Sequence, residues 1–396
     1  NTYKKWGITA ENQQWGTWKG WQRGITHVDM VSPRVVSLHA TQLAWNPSTD
    51  KKGVTASLIT LPSFADSLAF VSWLPNVKGK IVMVSMLQPT GRPDENWKEY
   101  ATEVSFEKMK SERDSLEKIW RQNISNTGYT SRNINAAFEK AGAVGIAQSR
   151  WSEGFGANKI FSAGTEKIPA VDISLEDYGM LYRMAEHGAN PQIKIVAESK
   201  DLGKVPTFNT IATIPGTEFP DEYVILSAHF DSWDGATGAT DNGTGTITML
   251  EAARILKKVY PNPKRTILIG HWGSEEQGLN GSSSFVQDHP EIVAGVQAGG
   301  SDYASFVAAG APAFSLSSLS WDYWNYTWHT NLDTYDKIVF DDVRNNAILT
   351  AILTYMACED PEKTSREKAV LGINPRSGEK AEWPTPRTPE RNGGQE

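Results

Sequence analysis

A histidine and an aspartate follow an apolar stretch at residues 223–231, YVILSAHFD. His229 is a common type of metal ligand, and Asp231 could orient its ring or hold the loop around it. Polar groups that follow an apolar strand also match the carboxyl-end position of ligand sites in open α/β sheets. A hydrogen-bonded histidine at a strand end has the same pattern, so this motif alone leaves both interpretations open.

Two further acidic motifs follow in order. Asp241 lies twelve residues after His229 in DNGTG, where glycines permit a tight turn and a plain helix cap is the alternative explanation. Glu275 and Glu276 follow the apolar stretch 266–272. Adjacent carboxylates repel each other unless cations or protons separate them, which metal ligation by one and proton transfer by the other would explain. A solvated pair on a loop is the competing interpretation.

A second histidine, His329, is followed four residues later by Asp333. Loops at successive strand ends therefore offer imidazoles and carboxylates together, which is typical of a hydrolytic zinc site and not of a thiolate structural site. Two zinc ions held about 3.5–4 Å apart by a shared carboxylate would polarise a carbonyl and generate hydroxide near neutral pH.

The elements that must position these residues alternate between strand and helix. The pattern predicts strands at 208–214, 223–228 and 266–272, and an amphipathic helix over Thr244–Val259. Alternation with near-continuous apolar strands predicts an α/β fold, with a mostly parallel mixed sheet sandwiched by helices.

Length and composition predict more than one domain in a globular chain. At 396 residues, with 21% charged and 39% hydrophobic residues, the chain exceeds one ordinary core. We expect residues 1–55 to form the first part of a catalytic domain, 56–204 an inserted smaller β-rich domain, and 205–358 the rest of the catalytic domain. The proline-interrupted, polar stretch 359–396 is expected to be a tail that lies on the surface or is disordered.

Charge and hydropathy exclude several functional classes. A net charge of −7 gives no basic face for nucleic acid. No apolar run reaches the roughly 18 residues of a membrane span. The single cysteine, Cys358, cannot form an internal disulfide and is expected to be a buried apolar residue. Because the chain starts at Asn1 without a methionine, we expect a removed leader and a periplasmic or secreted protein.

Taken in order over residues 205–358, these motifs resemble the M28 family of co-catalytic zinc peptidases, especially its carboxypeptidase Q-like and bacterial aminopeptidase members. The matching segments are HFD at 229–231, DNG at 241–243, the Glu275–Glu276 pair and HTNLDT at 329–334. Residues 137–145 and 168–174 are similar to the two typical segments of a protease-associated (PA) domain, which such peptidases have before the first motif.

The resemblance implies a role for each matching residue. Asp241 would bridge two zinc ions, His229 would complete the first site, and Glu276 and His329 would complete the second. Glu275 would be the general base that passes a proton from water to the leaving amine.

Further residues would support this centre. Asp231 and Asp333 would be supporting carboxylates, and Asp302 is interpreted as another one near the mouth of the site. The aromatic stretch 321–328 would line a substrate pocket or pack as a structural loop. Within it, Tyr326 is the candidate for contact with the substrate.

One expected ligand has no counterpart in the sequence. The family has a further acidic ligand of the first zinc after the Glu–Glu pair, and the resemblance implies that several tens of residues are absent between Ala298 and Gly299. We expect a break in the chain at that join. Were the chain continuous, Asp288 and Asp302 would be the nearest substitutes.

The predicted function is that of a dizinc exopeptidase acting on terminal peptide bonds of peptides or on dipeptides. An aminopeptidase or dipeptidase is favoured over a carboxypeptidase. The alternatives are a catalytically inactive receptor or scaffold on the same fold, and a single-zinc acyltransferase of the glutaminyl-cyclase type. The sequence makes no prediction of oligomeric state.

Overall fold

The computed structural model describes residues 1–131, 133–292, 300–367, 372–373, 378–380, 383 and 386–393. Its strands are β1 (Thr9–Ser32), β2 (Val36–Ser37), β3 (Ala40–Gln42), β4 (Val54–Thr60), β5 (Ile81–Met83), β6 (Gly145–Gln148), β7 (Ala170–Ile173), β8 (Gln192–Ile214), β9 (Phe219–His229), β10 (Arg265–Trp272) and β11 (Asn392–Gly393). Its α-helices are α1 (Thr2–Lys5), α2 (Ser67–Trp73), α3 (Asp94–Tyr100), α4 (Glu103–Asn126), α5 (Ile134–Lys140), α6 (Leu175–Glu186), α7 (Thr244–Val259), α8 (Asn280–Asp288), α9 (Tyr303–Ala308), α10 (Tyr323–Tyr326) and α11 (Phe340–Glu359).

The larger part of the sheet contains the strands that lead into the predicted motifs. β1 pairs antiparallel with β8, β8 pairs antiparallel with β10, and β10 pairs parallel with β9. Every residue of β10 is buried, which explains why its sequence is almost continuously apolar.

Helices cover this sheet on two sides. Met249 and Leu256 of α7 pack with Ala351 of α11 against β8, β9 and β10. Phe285 of α8 and Phe306 of α9 pack in a separate cluster around Trp272. The predicted α/β class with a helix-covered mixed sheet is confirmed.

A smaller sheet is formed by strands that lie between β1 and β8 in the chain. β4, β5, β6 and β7 run parallel in that order, and β3 pairs antiparallel with β7. Tyr178 and Leu181 of α6 pack in one core cluster with β4 and β5, while Phe70 of α2 and Phe138 of α5 lie in a second cluster with Ile146 of β6.

The strand pairing does not follow the predicted domain boundaries. The boundary between residues 204 and 205 falls inside β8, which is continuous and pairs with both β4 and β10. β3 precedes residue 55 but pairs with β7 of the smaller sheet. The division into domains, including the PA assignment, stays a prediction.

One described segment of the tail extends the edge of the larger sheet. β11 pairs parallel with β1, and the guanidinium of Arg391 lies 2.6 Å from the carboxylate of Asp288. None of the described helices is long and apolar enough to cross a membrane. The expected break between Ala298 and Gly299 lies outside the described residues.

Candidate metal centre

Two parallel strands end level with each other at the site. His229 is the last residue of β9, and it is in register with Trp272, the last residue of β10. The chain then turns through Ser274, which has a left-handed φ of 58°, into Glu275 and Glu276. The predicted convergence of motifs at the carboxyl ends of neighbouring strands is therefore present.

Four of the predicted metal ligands lie together, with Asp241 between two histidines. Its Oδ1 lies 3.3 Å from Nε2 of His229, and its Oδ2 lies 3.4 Å from Nε2 of His329. Glu276 Oε2 is 2.9 Å from the same His329 nitrogen. Ligand atoms of His229, Asp241 and Glu276 all lie within 4.8 Å of one another. Each carboxylate oxygen of Asp241 thus faces a different imidazole, the arrangement that a bridging ligand needs.

Asp231 holds the turn that contains the two glutamates. Its carboxylate accepts hydrogen bonds from the backbone N–H groups of Glu275 at 3.1 Å and Glu276 at 3.2 Å. The carbonyl of Asp231 also lies 2.9 Å from Nδ1 of His229. If Nε2 binds a metal in place of its proton, a proton on this Nδ1 gives the neutral tautomer that a metal ligand needs.

Asp333 holds the loop that contains Asp241. Its carboxylate accepts hydrogen bonds from the backbone N–H groups of Thr240 at 2.7 Å and Asp241 at 3.0 Å, and from the Thr240 hydroxyl at 2.8 Å. Both predicted supporting carboxylates therefore lie beside the site and bind backbone groups of the residues that form it.

The two histidines differ in their electrostatic surroundings. Burial lowers the pKa of His229, but the carboxylates of Asp241 and Glu275 outweigh burial and raise it to about 10. Burial lowers the pKa of His329 to about 4, and the opposing charge of Asp241 does not offset it. Burial, followed by the charges of Asp241 and Glu275, raises the pKa of Glu276 to about 9.

Several buried polar atoms around this cluster have no hydrogen-bond partner among the described residues. They are Oε1 of Glu276, Nδ1 of His329 and both carboxylate oxygens of Asp302. Buried polar groups are normally satisfied, and buried charges are normally paired or bound to a metal. Imidazole nitrogens and carboxylate oxygens are also the donors that zinc takes in hydrolytic sites, so the residues present fit a zinc centre.

Asp302 lies deeper than its predicted place near the mouth. It is 3% exposed, immediately before α9. Burial, and then the charge of Glu275, raise the pKa of Asp302 to about 8. The described residues thus add a further buried carboxylate to an already acidic site.

The phenol of Tyr323 interacts with Asp241 of the metal cluster. Burial, and then the charge of Asp241, raise the pKa of the Tyr323 phenol well above its ordinary value. Tyr326, the sequence candidate, lies against the backbone of Gly154 instead: a Cβ added to that glycine would be 3.4 Å from its ring. Residues three apart in a helical turn such as α10 lie on nearly the same face. Sequence spacing alone could therefore not show which of the two tyrosines interacts with Asp241.

A segment of the connection between β6 and β7 contacts the loop of the second histidine. The N–H of Ile160 donates to the carbonyl of His329 at 2.8 Å, and Lys159 forms a bridge with Thr330. The ring of Phe161 lies 4.9 Å from the His329 ring, measured between centroids. Residues 159–161 therefore form one wall beside the cluster, which the sequence motifs did not indicate.

The family model for peptidase family M28 matches residues 209–298 and 291–354. This chain contains an M28 peptidase domain. The matched residues include every member of the cluster described above, and the family resemblance expected from the motifs is confirmed.

Individual relatives agree with this assignment. Carboxypeptidase Q from Bos taurus is 30% identical over 272 residues, which is 68% of this chain and 50% of that protein. The chain thus spans about half the length of that curated relative.

Solved structures of M28 proteins share the fold. A peptidase M28 precursor from Shewanella amazonensis SB2B has a TM-score of 0.67 at 22% identity, over 92% of this chain and 87% of that chain. BSAP, a zinc aminopeptidase from Bacillus subtilis, has a TM-score of 0.53 at 18% identity, over 92% of this chain and 88% of that chain.

Proposed function

We propose that this chain is a zinc-dependent exopeptidase that hydrolyses terminal peptide bonds through a two-metal centre. The observation that supports the proposal best is the position of Asp241, with one carboxylate oxygen towards His229 and the other towards His329. Glu276 completes the second group, at 2.9 Å from His329.

The proposed zinc ligands are His229, Asp241, Glu276 and His329. When bound there, zinc would polarise the scissile carbonyl and lower the pKa of water towards neutrality. Asp231 and Asp333 would keep the ligands in place through the backbone hydrogen bonds that they accept. The further acidic ligand expected for the first zinc is not assigned.

Glu275 is the proposed general base. Asp231 fixes its backbone, and burial raises the pKa of the Glu275 carboxyl above its ordinary value. A carboxylate with a raised pKa is better matched to proton transfer near neutral pH. Glu275 would accept a proton from the attacking water and donate it to the amine that leaves when the peptide bond breaks, so the products are a carboxylic acid and an amine.

The smaller sheet would narrow access to this centre. Residues 159–161 already lie beside His329, and the ring of Trp328 lies 4.1 Å from the His329 ring. A long folded chain would meet this wall, whereas a peptide end would fit, which is why an exopeptidase is proposed.

The proposal is tested by metal content and by hydrolysis. Metal-free protein is titrated with zinc while bound metal is measured per chain, and matched peptides blocked at either end are assayed with zinc and with a chelator. Two zinc ions per chain and chelator-sensitive cleavage of peptides with a free end are expected. One zinc with cyclisation of amino-terminal glutamine would favour the acyltransferase, and peptide binding without turnover would favour the receptor.

We also propose that the protein works outside the cytoplasm, in the periplasm or as a secreted enzyme. Its resemblance to exported peptidases supports this. Cell fractionation of the native host should find the enzyme outside the cytoplasm, and a cytoplasmic full-length protein with no cleaved leader would contradict the proposal.

A further inference from the structure

The two histidines proposed as zinc ligands are fixed in different ways. Nδ1 of His229 lies 2.9 Å from the carbonyl of Asp231, a hydrogen-bond partner that sets the orientation of the ring. Nδ1 of His329 is buried and has no hydrogen-bond partner in the part of the chain that the structure describes. Because a metal-binding histidine usually has such a partner on its other nitrogen, the orientation of the His329 ring depends on other contacts.

Three aromatic rings contact the imidazole of His329. Trp328 is the nearest, with 4.1 Å between ring centroids and 32° between ring planes. Phe161 lies at 4.9 Å and 62°, and Trp233 lies at 6.0 Å and 49°. Since the three rings meet the imidazole at different angles, they restrict its rotation more than one stacked ring would. We call Phe161, Trp233 and Trp328 the aromatic clamp.

The rings of the aromatic clamp also contact one another. Phe161 lies 5.6 Å from Trp233 and 6.0 Å from Trp328, measured between centroids. Both distances are within the range of about 4.5–7 Å for favourable aromatic pairs. Trp233 is only 8% exposed, and Trp45 packs against it at 5.9 Å. Neighbours on several sides therefore hold the clamp rings in place.

The aromatic clamp combines segments that are far apart in the chain. Phe161 belongs to the connection between β6 and β7, Trp233 follows β9, and Trp328 directly precedes His329. The same connection holds the backbone of His329, because the N–H of Ile160 donates to the His329 carbonyl at 2.8 Å. His329 has a left-handed φ of 59°, which is uncommon for a residue other than glycine and persists where the surroundings fix it.

The chemistry of the clamp rings limits how they can act on a metal. Phenylalanine has no donor or acceptor atom, and the indole nitrogen of tryptophan is a donor only. None of the three side chains can therefore bind zinc directly, and an effect on zinc must pass through His329.

We propose that Phe161, Trp233 and Trp328 are positioning residues that orient the His329 imidazole for the second zinc ion. The inference rests on the proposed zinc centre. It gives the connection between β6 and β7 a role in metal binding, in addition to the narrowing of access.

The test measures zinc binding by stepwise titration of metal-free, full-length protein. Phe161→Leu and Trp328→Leu each remove a ring but keep an apolar side chain. Each should lower the affinity for one zinc ion by about 10- to 100-fold, the usual cost of losing a group that orients a metal ligand. The affinity for the other zinc ion should stay unchanged. Trp328→Phe retains a ring and should keep most of the affinity.

A second background shows whether the rings act through His329. In His329→Ala, the zinc ion that remains should bind equally well with and without Phe161→Leu, because the ligand that the rings orient is gone. A general loss of folding stability would instead weaken zinc binding in both backgrounds, and that result would contradict the clamp.

Phe64→Leu is the matched control, with the same substitution in an aromatic cluster away from His329. Phe64 is 4% exposed and lies 5.2 Å from Phe70 between ring centroids. This variant should lose folding stability, because it removes part of a buried ring, and keep the wild-type affinity for both zinc ions.

The titration also separates this inference from the proposed activity, because it needs no peptide. Wild-type protein that binds zinc and cleaves no peptide contradicts the peptidase proposal, and the variants still decide the role of the clamp. The clamp is overturned if Phe161→Leu and Trp328→Leu bind both zinc ions as the wild type does, or if they lose affinity equally for both. Wild-type protein that binds no zinc contradicts both proposals.

Discussion

Two buried carboxylates, Asp172 in the smaller sheet and Asp302 before α9, differ in their hydrogen bonding. Asp172, in β7, is fully buried, and it accepts hydrogen bonds from two backbone N–H groups and from the amide of Gln148. Asp302, before α9, is 3% exposed, and neither of its oxygens has a hydrogen-bond partner in the described part of the chain.

The difference separates a structural site from a functional one. Neutral donors around Asp172 satisfy it without any further group, so it can support its surroundings. Around Asp302 the charges of Glu275 and Asp231 raise its pKa further after burial, and the charge of His229 opposes them only in part. A cluster of this kind is unfavourable unless cations enter it, and local instability of this kind is typical of active sites.

The largest expected effect comes from removing the residue at the middle of the acidic cluster. Asp241→Ala should lose bound zinc and peptidase activity together, because each of its oxygens faces a different histidine. Metal analysis and peptide hydrolysis are measured on the same preparation. Asp288→Ala is the control, since Asp288 pairs with Arg391 on the surface. Retention of two zinc ions in Asp241→Ala would show that the bridge lies elsewhere.

The next largest effect is expected on the catalytic rate alone, without a loss of zinc. Glu275→Gln should keep its zinc and lose activity by about 10²–10⁴-fold, the usual contribution of a positioned base. Its backbone hydrogen bond to Asp231 does not depend on the side chain, so the turn should persist. Zinc stoichiometry and kcat are compared with those of the wild type. Near-normal turnover at full zinc occupancy would contradict the assignment of Glu275 as the general base.

Asp172→Asn tests the structural role that the comparison gives to Asp172. The amide keeps one oxygen but turns an NH₂ group towards donors, so we expect a loss of about 1–3 kcal/mol in the free energy of unfolding. Zinc stoichiometry should be unchanged. Denaturant unfolding measures the free energy of unfolding, and metal analysis measures the zinc stoichiometry. A loss of zinc in this variant would place Asp172 in the metal site, and the two carboxylates would then not differ in role.

A buried histidine outside the cluster gives a smaller, pH-dependent effect. Burial lowers the pKa of His271 to about 4, and its Nε2 lies 2.6 Å from the hydroxyl of Tyr3. Because the unfolded chain binds a proton below its ordinary pKa of about 6.5, this contribution to stability is present at pH 7 and is lost as pH falls towards 4.

The loss should reach about 1 kcal/mol by roughly pH 5.5. His271→Gln should reduce the slope of unfolding free energy against pH in that interval. Parallel slopes in the variant and the wild type would show that other groups dominate.

The smallest effect is expected for Asp302→Asn. Because burial disfavours its charged form, the neutral amide should stabilise the metal-free protein by about 1 kcal/mol or less, a sign opposite to that of Asp172→Asn. Thermal unfolding with chelator measures this. With zinc present, the stabilisation by Asp302→Asn should be smaller, because a cation then offsets the negative charge of the Asp302 carboxylate. Destabilisation of the metal-free form would place Asp302 with the structural carboxylates.

Part of the site was predictable from local sequence. His229 and the pair Glu275–Glu276 follow apolar strands, and Asp241 precedes an amphipathic helix whose bounds, Thr244–Val259, match the predicted ones. Parallel strands place their carboxyl ends at one edge, so local order along the chain was sufficient to predict that these residues meet.

The wall beside His329 was not predictable in this way. Lys159 and Phe161 precede His329 by more than 160 residues, and no motif connects them. Their place depends on the backbone bond from Lys159 to Asp172 and on the contact of residues 159–161 with the loop after Trp328. Likewise, the sequence did not indicate that Tyr323 and not Tyr326 interacts with Asp241.

The sequence by itself thus determined the fold class, the family and the chemistry of the metal ligands, since these follow from residue type and strand-end spacing. Only the tertiary structure decided which residues of the connection between β6 and β7 contact the loop of His329. Contacts between segments far apart in the chain depend on packing against a common core, and short-range patterns contain no information about that packing.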